Sequence, residues 1–116
     1  MNSARQFAPQ ALRDVEDAAD WLASAQGGPL LARRFATAVI EAAERIERRP
    51  LLGHRRPELL PDPFRFRRVT GFPYLLVYDA KRPVPVILRV LHMARDLGPL
   101  LADLTTTFDP DPEQPE

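Results

Sequence analysis

The sequence predicts an α+β fold, and two observations carry it. Two helical apolar stripes lie on either side of Gly27-Gly28, and beyond a proline-rich stretch the apolar period changes from helical to strand-like. Residues 3–8, SARQFA, are expected as a short N-terminal strand. Pro9 suits a first helical turn, and Leu12, Val15, Ala19 and Leu22 then recur at helical spacing with acidic residues between them, which predicts an amphipathic helix over 9–25. Gly27-Gly28 breaks it. Pro29 opens a second helix whose stripe is Leu31, Phe35, Ala38, Ala42 and Ile46, ending near Arg48 or Arg49 before Pro50. Two such helices with a tight connection read as an antiparallel hairpin that needs another surface to cover it.

From Pro50 to Pro63 four prolines and Gly53 exclude regular structure. FRFRRV (64–69), FPYLLVYDA (72–80) and VPVILRVLH (84–92) are rich in aromatic and branched residues and are separated by turn signals, which predicts a three-stranded antiparallel meander. The alternation in the first strand sets Phe64 and Phe66 on one face and Arg65 and Arg67 on the other. ARDLGPLLADL (94–104) is expected as a short C-terminal helix distorted at Gly98-Pro99, with Asp96 as its cap. Residues 1–104 then form one domain, and 105–116, acidic and proline-rich, form a tail expected to be disordered.

The chain has 116 residues, 45% of them hydrophobic, 13 prolines and no cysteine. One small domain fits that length, and disulfide, thiolate-zinc and cysteine-nucleophile chemistry are excluded. No apolar run reaches the roughly 20 residues that span a bilayer, and no signal peptide is visible, so a cytoplasmic protein is expected. The net charge of zero conceals strong segregation. Residues 50–95 carry 9 basic and 3 acidic groups, whereas residues 96–116 carry 6 acidic groups and no basic one. Fifteen of the 16 basic residues are Arg, whose planar fork suits phosphates and carboxylates. Arg55, Arg56, Arg65 and Arg67 form a basic patch attractive to phosphate or to an acidic protein surface. The alternative is a solvated face paired with Glu58, Asp62 or Asp79, although exposed pairs contribute only about 0–1 kcal/mol each.

Several motifs stand in a telling order: Trp21-Leu22 on the first helix, Ala32 with Arg34-Phe35 on the second, Pro50 and Gly53 as P-x-x-G, Arg67 and Val69, Phe72-Pro73-Tyr74 with Tyr78, and RVLHMARD at 89–96. The set resembles the toxins of type II toxin–antitoxin systems in the RelE/ParE superfamily, on the ParE side, over residues 4–104. The resemblance implies a growth-arresting protein neutralised by a cognate antitoxin, with docking expected at Trp21, Leu31 and Phe35. ParE-like members act on DNA gyrase by protein contact, without a cofactor; RelE-like members cut mRNA on the ribosome.

Metal-free RNA cleavage needs a base, an acid and cationic donors in one pocket. His92, Tyr78, Arg67, Arg89 and Arg95 are the residues that could supply them. The plainer reading makes His92 a strand-end hydrogen-bonding group, Tyr78 a packing residue and the arginines a solvated face. The first two strands contain no Lys, which counts against a nuclease of the RelE kind. His54 and His92 stand at no metal-ligand spacing, and no phosphate-cradling glycine loop is present.

Overall fold

The computed structural model describes residues 6–107. Helix α1 (Pro9–Leu22) is followed by a π-helical turn, Ala23–Gly27, and by α2 (Gly28–Arg48). A 3-10 turn, Pro50–Leu52, leads through an irregular segment to strands β1 (Phe64–Arg68), β2 (Tyr74–Asp79) and β3 (Val86–His92), and α3 (Leu97–Thr107) ends the described chain. The expected N-terminal strand is reduced to one parallel bridge, Phe7 with Ile87, reinforced by the Ala8 N–H donating to the Ile87 carbonyl. Its residues 3–5 and the tail from 108 lie outside the described residues.

Pro9 starts α1 from an extended Ala8, as its fixed φ allows. The buried face is Ala11, Ala18 and Leu22, with Val15 and Ala19 half-buried against the core. The expected stripe thus departs at its start, where Ala11 is buried and Leu12 is 39% exposed. The first helix does not stop at a coil: it widens into the π turn, and Gly28, at φ 77° and ψ −168°, reverses the chain in a conformation that only glycine adopts readily. Helix α2 buries Phe35, Val39, Ala42, Ala43 and Ile46, close to the predicted stripe, and ends with Arg45 and Arg48 where the helix dipole favours cations.

The sheet has the order β1-β2-β3, antiparallel throughout, with a register shift between Val77 and Tyr78. Every residue of β2 is buried, because both faces are covered. Tyr74, Leu76 and Tyr78 meet the helical hairpin, together with Phe35, Val39, Ile46, Ile87 and Val90. Leu75 and Val77, with Phe64, Phe66, Leu88 and Leu91, meet Leu101 of α3 and Leu60 of the irregular segment. α3 begins at Leu97, the residue after Asp96, so residues 94–96 precede it and Gly98 and Pro99 fall in its first turn, where a missing proline N–H costs nothing. It runs three residues past the predicted 104.

Candidate functional site

Two regions hold the candidate residues, one at each end of β2. At the first, Tyr78 is 0% exposed, and its hydroxyl donates to the Pro50 carbonyl at 2.6 Å and accepts the Gly53 N–H at 2.8 Å. Arg65 donates to the Gly53 carbonyl at 2.9 Å, and His54 exchanges both backbone hydrogen bonds with Phe66. The P-x-x-G motif is therefore a socket for the Tyr78 hydroxyl. A methyl group at Gly53 would stand 2.7 Å from the hydroxyl oxygen and 2.8 Å from the Phe66 carbonyl, so no larger residue fits unless the turn moves. Burial pushes the Tyr78 hydroxyl above its ordinary 10.0, partly offset by the Gly53 N–H and by the Arg65 and Arg67 charges.

The basic residues wrap around the β1 edge. Arg65 and Arg67 pair across the sheet with Tyr78 and Leu76, so they share the hairpin face and are half-buried at its margin. Arg56 lies over the Phe66 ring at 5.7 Å on the opposite face and pairs with Glu58 at 3.3 Å. Arg55 pairs with Asp62 at 3.0 Å. Arg65 is engaged by the socket, whereas the Arg67 guanidinium has no hydrogen-bond or ion-pair partner among the described residues.

At the other end of β2, α1 and the close of β3 enclose a cleft of about 210 Å³, lined by Asp14, Asp17, Trp21, Tyr74, Arg89, His92 and Arg95 among others. Arg89 grips Asp14 through two contacts, Nε at 2.8 Å and Nη2 at 3.1 Å, and the same carboxylate accepts the Val90 N–H at 2.9 Å. Arg89 is thus neutralised, and α1 is fastened to the outer edge of β3. His92 accepts the Ala94 N–H on Nδ1 at 3.0 Å, which leaves Nε2 as the protonated nitrogen of the neutral ring. Its ring stands edge-on to Tyr74 at 4.9 Å.

The five residues weighed for RNA cleavage are consequently divided. His92, Arg89 and Arg95 share the cleft; Tyr78 lies four residues away along β2, roughly 13 Å at 3.3 Å per residue. Arg67 belongs with Tyr78. The aromatic hydroxyl that does accompany His92 is that of Tyr74, which sequence reasoning placed only in a motif; its pairing with His92 across β2 and β3 was readable only once the register was known. Burial raises the Tyr74 hydroxyl as well.

Of the three expected antitoxin contacts, Trp21 is 50% exposed, Leu31 is half-buried and Phe35 is 0% exposed. Phe35 packs against Phe72 and Tyr74 at ring distances of 5.3 and 4.8 Å, beneath the surface rather than on it. Above it α2 and the β1–β2 turn form a shallow groove of about 410 Å³ lined by Leu30, Arg33, Arg34, Ala38 and Phe72 among others. Among the described residues no group of three His, Asp or Glu side chains is placed to hold a metal, and no helix is long and apolar enough to cross a membrane.

A family model described as ParE toxin of type II toxin-antitoxin system, parDE, matches residues 6–97. Among solved structures the chain is similar to one described as the chromosomal ParDE TA system from P. aeruginosa, with a TM-score of 0.61 and 18% identity, over 74% of this chain and 90% of that one. At that identity the likeness speaks for the fold. A search of curated protein sequences found no match. The family match takes in the hairpin, the socket, the whole sheet and the cleft, and the chain belongs to the ParE toxin family of type II toxin–antitoxin systems.

Proposed function

We propose that this chain arrests growth in the cytoplasm by binding DNA gyrase through protein contact, without a cofactor, and that a cognate antitoxin neutralises it. The observation that favours this reading over mRNA cleavage by the expected residues is the enclosure of Tyr78. A general acid must reach the leaving oxygen, and a hydroxyl that is 0% exposed and bonded on both sides reaches nothing. Arg89, committed to Asp14, is likewise withdrawn from phosphate. Arg67, without a partner among the described residues, with Arg55, Arg56 and Arg65 around it, supplies the target-binding patch, and the exposed pairs of Arg55 and Arg56 exchange readily for an acidic partner. The antitoxin docks over Trp21, Leu30 and Leu31, with Phe35 supporting the groove from below. The domain runs through α3 to Thr107, so the expected boundary at 104 falls inside that helix.

The test is a gyrase supercoiling assay beside a ribosome-coupled mRNA cleavage assay, with wild-type protein and Arg67→Glu. Inhibited supercoiling that the substitution relieves, with mRNA intact, is the expected result. Cleaved mRNA with unaffected supercoiling would overturn it in favour of the ribonuclease reading, and no effect in either assay would leave a binding module that retains only the fold.

A further inference from the structure

The cleft between α1 and β3 holds more hydrogen-bond donors than the fold uses. Tyr74 is 7% exposed, yet its hydroxyl has no partner among the described residues, and it is not sealed off from solvent. His92, with Nδ1 occupied by the Ala94 N–H, presents Nε2–H. Arg95 and the Trp21 indole N–H are also without partners among the described residues. All four side chains line the same cleft. Asp14 has both oxygens engaged, by Gln10, Arg89 and Val90, so it satisfies none of them. Nothing in hairpin packing requires these donors to line one cleft, and a tyrosine hydroxyl that solvent still reaches can exchange its water for an accepting ligand.

We propose that the cleft is a carboxylate-binding pocket that receives one acidic side chain, Asp or Glu, from a protein partner. The carboxylate faces Arg95, His92 Nε2 and the Tyr74 hydroxyl, and the apolar neighbour of the acidic residue lies on Trp21. Three features select this ligand. Arg89 is held by Asp14, so Arg95 is the one guanidinium of the lining without an ion-pair partner among the described residues, and a monoanion suffices to pair with it. Asp17, also in the lining and without an ion pair among the described residues, repels a dianionic phosphate more than a singly charged carboxylate and suits a backbone N–H beside the bound side chain. At about 210 Å³ the cleft is smaller than the roughly 300–1,000 Å³ of pockets for whole small-molecule ligands, and it fits one side chain. This pocket does not depend on gyrase being the target.

Trp21 is the only tryptophan in the chain, so its emission reports on the cleft alone. Purified protein is titrated with acetyl-Leu-Glu-Leu-amide, acetyl-Leu-Gln-Leu-amide, inorganic phosphate and hexauridylate, while the side-chain nitrogen signals of His92 and Arg95 are followed by NMR. The Glu peptide should shift both readouts saturably, with the Gln peptide and the Arg95→Gln variant each weaker by about tenfold, the loss expected for a charge-assisted bond. Arg95 is exposed, so that variant should melt with the wild type. Tyr74→Phe tests the hydroxyl and should weaken the Glu peptide several-fold. Equal binding of the two peptides, no saturable change in either readout, or tighter binding of phosphate or hexauridylate than of the Glu peptide would overturn the proposal.

Discussion

The Tyr78 hydroxyl and the missing side chain at Gly53 are two halves of one contact, and each is testable alone. Tyr78→Phe keeps the buried ring and removes both hydrogen bonds, leaving the Pro50 carbonyl and the Gly53 N–H unpaired. A loss of about 1–3 kcal/mol in denaturant unfolding is expected, the usual cost of orphaned polar groups. Gly53→Ala should cost a similar ~1–3 kcal/mol through overpacking, since backbone as well as the hydroxyl stands in the way. The hydroxyl also sets a pH dependence. Because burial raises its pKa above 10.0, the unfolded chain releases this proton first as pH climbs, so stability is full below pH 10 and declines above it. Thermal melts from pH 8 to 11 should show that decline, and Tyr78→Phe should make it shallower.

Asp14 is the joint between elements. Its carboxylate binds a guanidinium and a backbone N–H of β3 at once, and its side chain is 9% exposed against 18% for Arg89. Removing the acid strands a mostly buried cation and an edge N–H, so Asp14→Ala should destabilise by about 3 kcal/mol, as broken buried pairs do. The double variant Asp14→Leu, Arg89→Met should recover much of that loss. Equal instability of single and double variants in chemical denaturation would show that the joint acts through the Val90 N–H instead. This joint was not legible in the sequence: a carboxylate on α1 and an arginine 75 residues later share no local pattern. What was legible followed from periodicity. The α2 stripe and the three strands came out within a few residues, because each apolar period is imposed by its own burial. The α1 stripe was misread at its start, because Ala11, too small to stand out beside Leu12, is the residue buried there, while Val15, Ala19 and Leu22 do meet the core. P-x-x-G was recognised as a motif, but its partner, Tyr78, could not be.

At the scale of the molecule, β2 divides the chemistry. Covering the sheet on both faces makes every β2 side chain part of a core, so a functional group on this strand reaches a partner only where the cover ends. It ends at the cleft, beside Tyr74 and His92, and at the β1 margin, beside Arg67. His92 is the residue whose substitution separates the two mechanisms open to such a molecule. General acid–base catalysis contributes roughly 10²–10⁴ in rate, so a ribonuclease relying on the imidazole would be nearly silenced by His92→Gln. A toxin acting by contact at the β1 margin would not, since glutamine keeps a hydrogen-bond acceptor for the Ala94 N–H at the end of β3 and leaves the Arg67 patch untouched. The expected outcome is retained growth arrest on induction, with DNA-damage signalling and intact mRNA. Soluble yield and melting temperature, measured in parallel, exclude a folding defect. Lost arrest in a well-folded variant would transfer the toxic activity from the Arg67 margin to the cleft, and would put Tyr74 in the place that the sequence alone had suggested for Tyr78.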